Sequence, residues 1–129
     1  MNKSIINYES SGKLLNIIET SGLTLPFQNT IYLQSVRVAG IKYYIKDGFI
    51  LLEGDEIKLK REPDNKYDEY AIELFTAHGE KIGYIPRKTN KIFARLMDGG
   101  KILSAKVRTV EYYFESLHEV WIRIFLNDL

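Results

Sequence analysis

Residues 55–62, DEIKLKRE, set Ile57 and Leu59 two positions apart with Lys58 and Lys60 between them. A period of two belongs to a strand with one face on a core and one in water, and it does not fit an amphipathic helix. The same reading extends along most of the chain. IYLQSVRVAG (31–40) alternates imperfectly through Leu33, Val36 and Val38 and stops at Gly40. YAIELFT (70–76) and HGEKIGYIP (78–86) predict a hairpin over 70–85, with His78-Gly79 as its turn. ILSAKVRTVEYYF (102–114) and HEVWIRIFL (118–126) predict two long strands joined by a short turn near Glu115-Ser116.

Two stretches change period. After Pro86, RKTNKIFARLMDGG predicts a helix with Ile92, Phe93, Leu96 and Met97 as one apolar stripe. Thr89 is a candidate cap, Gly99-Gly100 the end, and Lys88, Lys91 and Arg95 share the outer face. Residues 11–21 predict a second helix, with Leu14, Leu15 and Ile18 at helical spacing, Ser10 or Ser11 at its start and Gly22 at its end. LTLPFQNT (23–30) reads as a connector. The expected organisation is an N-terminal helical extension over residues 1–30, packed on a main domain over residues 31–129.

The expected class is α+β, mainly β: a small, modified oligonucleotide-binding-type barrel of about six strands, with one helix between strands and an N-terminal helix. An α+β sandwich is the alternative, and strand order stays open.

A chain of 129 residues is the size of one domain. It has no cysteine, which removes disulfide frameworks, thiolate zinc sites and a cysteine nucleophile. The N-terminus lacks the apolar core and cleavage site of a signal peptide, and the longest wholly apolar run, Phe49-Ile50-Leu51-Leu52, is too short to span a membrane. These features lead us to expect a soluble, cytoplasmic protein without a membrane partner.

The net charge of +1 hides a pattern. Residues 47–80 carry four basic and ten acidic side chains, whereas residues 81–108 carry eight basic and one acidic. Such asymmetry points toward a polyanionic partner, and a solvated helix face would also produce it.

Catalytic patterns fail on spacing. A calcium loop counted from Asp64 needs glycine at position 69 and glutamate at position 75, where the chain has Glu69 and Phe75. Pro63-Asp64 is not followed by the acidic-x-Lys of a metal-dependent nuclease; Glu56-Ile57-Lys58 precedes it. The two histidines, His78 and His118, fall at predicted turns or strand starts. No G-x-S-x-G, phosphate-binding loop or G-x-G-x-x-G occurs. No enzymatic activity and no cofactor are expected.

Four segments carry a resemblance: VAGIKYY (38–44), GDEIKLKREPDNKYDEYAIEL (54–74), KIGYIPR (81–87) and FARLMDGG (93–100). In order and spacing they resemble the HIRAN domain, over about residues 33–125, in the bacterial, stand-alone form of that family. The resemblance implies a modified oligonucleotide-binding-type barrel that binds single-stranded DNA at a free 3′-hydroxyl end, in DNA replication or repair. A helicase or nuclease is the implied companion.

The family's site maps onto Lys42 and Tyr43 in the first segment, Asn65, Tyr67 and Asp68 in the second, and Tyr84 and Arg87 in the third. Lys88 and Lys91 are added here as candidate phosphate contacts. The chain departs from the helicase type at four places. Lys42 replaces an arginine, Lys66 a proline and Tyr84 a histidine, while Asp64 adds a negative charge.

These residue types suit the task. An ionised carboxylate only accepts, so Asp68 matches a 3′ hydroxyl and repels a 3′ phosphate. Tyrosine faces stack on any base, and Lys or Arg pair with phosphates. Each also has an ordinary reading. Asp68 can serve its own turn, and Tyr67 can pack on the barrel rim. Of Tyr43 and Tyr44, alternating at a strand end, one is expected in the core. Tyr112 and Tyr113 read as packing residues, and Lys88, Lys91 and Arg95 as a solvated face. A protein-interaction domain on the same barrel is the alternative function.

Overall fold

The computed structural model describes residues 29–128. The expected N-terminal helix over 11–21 lies outside them. In chain order the elements are β1 (Asn29–Arg37), α1 (Ile41–Tyr44), β2 (Glu56–Arg61), β3 (Ile72–Thr76) and β4 (Lys81–Tyr84). They are followed by α2 (Asn90–Asp98), β5 (Ile102–Tyr113) and β6 (Ser116–Asp128). The six strands form one antiparallel sheet in the order β1-β6-β5-β2-β3-β4.

The β5–β6 hairpin is its spine, paired from Ile102↔Asn127 to Tyr113↔Ser116. Register shifts between Val107 and Thr109, between Glu111 and Tyr112, and between Tyr32 and Gln34 interrupt the ladders. Bulges of this kind bend a strand and increase its twist, so the sheet curls. Its far edges are then joined: Ala39, just beyond β1, exchanges backbone hydrogen bonds of 2.8 and 2.9 Å with Tyr84 at the end of β4. Gly83 makes this closure possible. A Cβ there would stand 2.3 Å from the carbonyl oxygen of Ala39.

The alternation in DEIKLKRE holds, with Ile57 buried, Leu59 half-buried and Lys58 and Lys60 exposed. Ile72, Leu74, Ile82, Val107, Val120, Ile122 and Ile124 fill the curl with Phe93 of α2. Gly79, at φ 91°, turns the chain between β3 and β4 as expected.

Three expectations are corrected. Ile92 is not part of the helix's buried stripe; it is 62% exposed. The inner face of α2 runs through Asn90, Phe93, Ala94 and Met97, the i, i+3, i+4, i+7 set. A buried asparagine on that face hides the true phase from a reading based on apolar residues. Tyr43 and Tyr44 do not alternate at a strand end either. Gly40, at φ 80°, turns the chain out of β1 into the single turn α1, anchored by buried Ile41. Neither tyrosine enters the core: Tyr43 is 85% exposed and Tyr44 half-buried. Thr89 stands at the start of α2 but makes no capping bond; its hydroxyl donates to the Pro86 carbonyl at 3.3 Å. Among the described residues no helix is long and apolar enough to cross a membrane.

Candidate nucleic-acid interface

The connection between β2 and β3, residues 62–71, is a turn whose polar side chains build its backbone. Asn65 accepts from the amides of Tyr67 (2.8 Å) and Asp68 (3.0 Å) through Oδ1. Its own amide donates to Glu62 Oε1 at 2.9 Å. Asp68 accepts from the Tyr70 amide at 2.9 Å through Oδ1. These are the side-chain-to-backbone bonds that make Asn and Asp turn formers. Arg61 then staples the turn. Its guanidinium donates to the carbonyls of Ala71 (2.7 Å) and Glu69 (3.0 Å) and, as a fork, to the Asp98 carboxylate at 2.8 and 3.1 Å. The hydrogen bond to Asp98 raises the guanidinium pKa and lowers that of the carboxyl.

Two further contacts tie the turn to distant elements. Asn90, 2% exposed at the start of α2, donates through Nδ2 to Asp68 Oδ2 at 2.7 Å. The Tyr84 hydroxyl of β4 donates to Glu62 Oε1 at 2.7 Å and accepts from Lys81 Nζ at 2.8 Å. Lys81 also pairs with Glu73 at 3.1 Å and lies 4.5 and 4.3 Å from the ring centroids of Tyr44 and Tyr84. The Asn65 amide and the Tyr84 hydroxyl hold the Glu62 carboxyl below the usual carboxylate range. Burial, with the bond to Glu62, pushes the Tyr84 hydroxyl up to about 12 against the pull of Lys81. Tyr84 therefore keeps its proton and remains a donor. Burial opposes the charge on Lys81, but the bonds to Tyr84 and Glu73 outweigh it and raise its pKa.

Asn65, Tyr67, Asp68, Tyr84 and Arg87 meet around one hollow of about 360 Å³. Tyr44 completes the wall. Tyr67 is 82% exposed, so its ring faces are free of packing. Arg87 donates to the Tyr67 carbonyl at 2.7 Å, and its Nε lies 3.8 Å from Asp68 Oδ2. An ionised carboxylate offers about four lone-pair sites. The Tyr70 amide and the Asn90 side chain use two of those on Asp68, leaving room for an incoming donor.

Lys42 and Tyr43 line a second hollow, of about 570 Å³, with Arg37, His118 and Glu119. Ala39 is a wall of both. Lys88 and Lys91 line neither hollow; both are exposed, and Lys91 Nζ lies 5.5 Å from the Tyr70 ring centroid. The sequence reading missed Tyr44, Glu62, Lys81 and Asn90. Glu62 sits beside Pro63 at the start of the turn between β2 and β3, and Tyr44 beside Tyr43, but nothing local marks Lys81 or Asn90. Among the described residues no group of three or more His, Asp or Glu side chains is placed to hold a metal.

Comparison with known proteins agrees with this fold. The HIRAN domain profile matches residues 31–124. A protein from Lactobacillus plantarum of known crystal structure superposes with a TM-score of 0.71, at 27% identity, over 80% of this chain and 100% of that one. The crystal structure of the HIRAN domain of human HLTF superposes at 0.60, with 19% identity, over 75% of this chain and 78% of that one. The HLTF HIRAN domain in its DNA-bound conformation superposes at 0.51, with 21% identity, over 75% and 79%. The mouse helicase-like transcription factor is 32% identical over 62 residues, which are 48% of this chain and only 6% of that protein. Fold, motif order and family profile converge, and the chain belongs to the HIRAN domain family.

Proposed function

We propose that this chain is a non-catalytic nucleic-acid-binding domain that takes single-stranded DNA at a free 3′-hydroxyl end, in DNA replication or repair. One observation carries the reading. The Asp68 carboxylate is held from two sides by the Tyr70 amide and Asn90, with lone pairs to spare, beside the exposed ring of Tyr67 and the guanidinium of Arg87. The HLTF HIRAN domain, which shares the fold, has a DNA-bound conformation, and this supports the class of ligand.

Each part of an end has a partner here. The hydroxyl donates to Asp68, a charge-assisted bond worth about 1.5–3 kcal/mol. Tyr67 stacks on the terminal base at about 1–3 kcal/mol. Arg87 and Lys42 meet phosphates from the two sides of Ala39. A 3′ phosphate or a continuing strand would bring negative charge to the carboxylate. The chemistry on the DNA itself would come from a helicase or nuclease companion in the cytoplasm.

The test is a titration of labelled single strands ending in 3′ hydroxyl or 3′ phosphate, at two salt concentrations. The hydroxyl end should bind about 10-fold tighter or more, and Asp68→Ala should erase the difference. Equal affinity for both ends in the unsubstituted protein would sink the reading. A matching RNA series asks whether the sugar matters.

A further inference from the structure

We propose that the outer face of the sheet is a second nucleic-acid surface, a phosphate track that continues from the hollow across β2, β5 and β6. It rests on the function proposed above only for the choice of nucleic acid as the polyanion.

The register places the residues. Lys106 on β5 stands directly opposite Arg123 on β6, and Glu56 on β2 stands opposite Lys106 on its other side. Lys58 lies two residues from Glu56 and Lys60 two further, so all point away from the core. Lys60 pairs with Glu73 of β3, and Glu73 with Tyr84 of β4. Tyr84 is a wall of the hollow, so the outer face runs unbroken from that wall to Arg123. Neighbouring strands lie about 4.8 Å apart, which makes the run from β4 to β6 about 19 Å.

The chemistry is uneven along this run. Lys58, Lys60, Lys106, Arg108 and Arg123 are all exposed. Among the described residues none of the five has a carboxylate within ion-pair distance. Like charges directly opposite one another on neighbouring strands destabilise a sheet. Lys106 and Arg123 are such a pair, and Glu56, opposite Lys106 on its other side, forms no ion pair with it. Arg108 is the extra residue where the register slips between Val107 and Thr109, and it stands beside them. Half-buried Phe125 and Trp121 flank Arg123 on the same face and offer apolar edges to a base. Oligonucleotide-binding barrels commonly cover about 4–16 nucleotides, more than a hollow for one terminal residue accounts for.

Fluorescence anisotropy with a trinucleotide and a 12-nucleotide strand sharing one 3′-hydroxyl end tests this, at several salt concentrations. The 12-mer should bind more tightly than the trinucleotide and with a steeper salt dependence. Lys106→Thr with Arg123→Thr should lower the 12-mer's salt slope by about 1.4 and leave the trinucleotide unaffected. The same double variant relieves the like-charge contact, so its melting temperature should not fall. A 12-mer that binds no tighter than the trinucleotide would overturn the track, as would an unchanged salt slope in the double variant. So would binding of phosphatidylserine vesicles in place of the 12-mer. A protein that ignores the 3′ group yet loses 12-mer affinity in the double variant upholds the track and removes the end-binding hollow instead.

Discussion

The two hollows either side of Ala39 are built on opposite plans. In the hollow around Asp68, the polar side chains are held in place by the protein. Asn65 is used by the turn, Glu62 by Asn65 and Tyr84, and Asp68 by Tyr70 and Asn90. In the hollow around Lys42 and Tyr43, those two side chains lie exposed on a single helical turn. The first plan suits discrimination, because a donor or acceptor held in advance loses little entropy when it binds and is left mismatched by the wrong ligand. The second suits adaptable attraction to a backbone, where a point charge on a flexible stem is enough.

The substitution with the largest expected effect removes the wall between them. Gly83→Ala would drive a Cβ into the Ala39 carbonyl, where the space measures 2.3 Å. Overpacking of this kind costs about 1–3 kcal/mol. Urea melts should register it, and affinity for both ends should drop together. A variant that lost stability yet bound both ends as before would show that the seam is not what holds the hollows.

Next comes the plan of the Asp68 hollow. Asn90→Ala removes a buried donor to the carboxylate. The preference for 3′ hydroxyl over 3′ phosphate should shrink by about 0.5–1.5 kcal/mol, with the salt slope unchanged. A uniform loss of affinity for both ends would mean that Asn90 only supports the helix.

Lys42→Ala probes the other plan. It should weaken binding to all strands alike, lower the salt slope by about 0.7 and leave the end preference intact. A changed end preference would erase the contrast between the hollows.

The smallest effect is on pH. The Glu62 carboxyl is held below its ordinary range by Asn65 and Tyr84, so the folded state binds its proton less readily than the unfolded chain. Its stabilising contribution is complete above the unfolded carboxylate value of about 4.3, and it is lost as pH falls through the lower folded value. Melting curves from pH 3 to 7 should show a slope that Glu62→Gln flattens. An identical slope in that variant would assign the acid sensitivity elsewhere.

Much of this was legible in the chain. Ile57 and Leu59 announced their strand because a period of two is a local property. His78-Gly79 announced its turn because glycine tolerates positive φ. The site was legible in part. Family resemblance points to Tyr67, Asp68, Tyr84 and Arg87, and the structure brings them to one hollow. The ordinary reading of Asp68 holds in any case, since its carboxylate serves its own turn. The failures share a cause. Apolarity alone puts Ile92 inward and leaves Asn90 out, yet α2 turns Asn90 toward the core to meet a carboxylate on another element.

Sequence alone determined the strands, the hairpin turns and the span of α2, because periodicity, glycine and proline act on residues a few positions apart. It also determined the charge contrast between residues 47–80 and 81–108. Only the tertiary structure decided the strand order, the closure of Ala39 on Tyr84 over Gly83, and the pairing of Asp68 with Asn90 and Glu62 with Tyr84. Each of those two pairs lies 22 residues apart, joined by a single hydrogen bond. No local pattern encodes such contacts; they exist because a curled sheet brings the ends of separate elements to the same side.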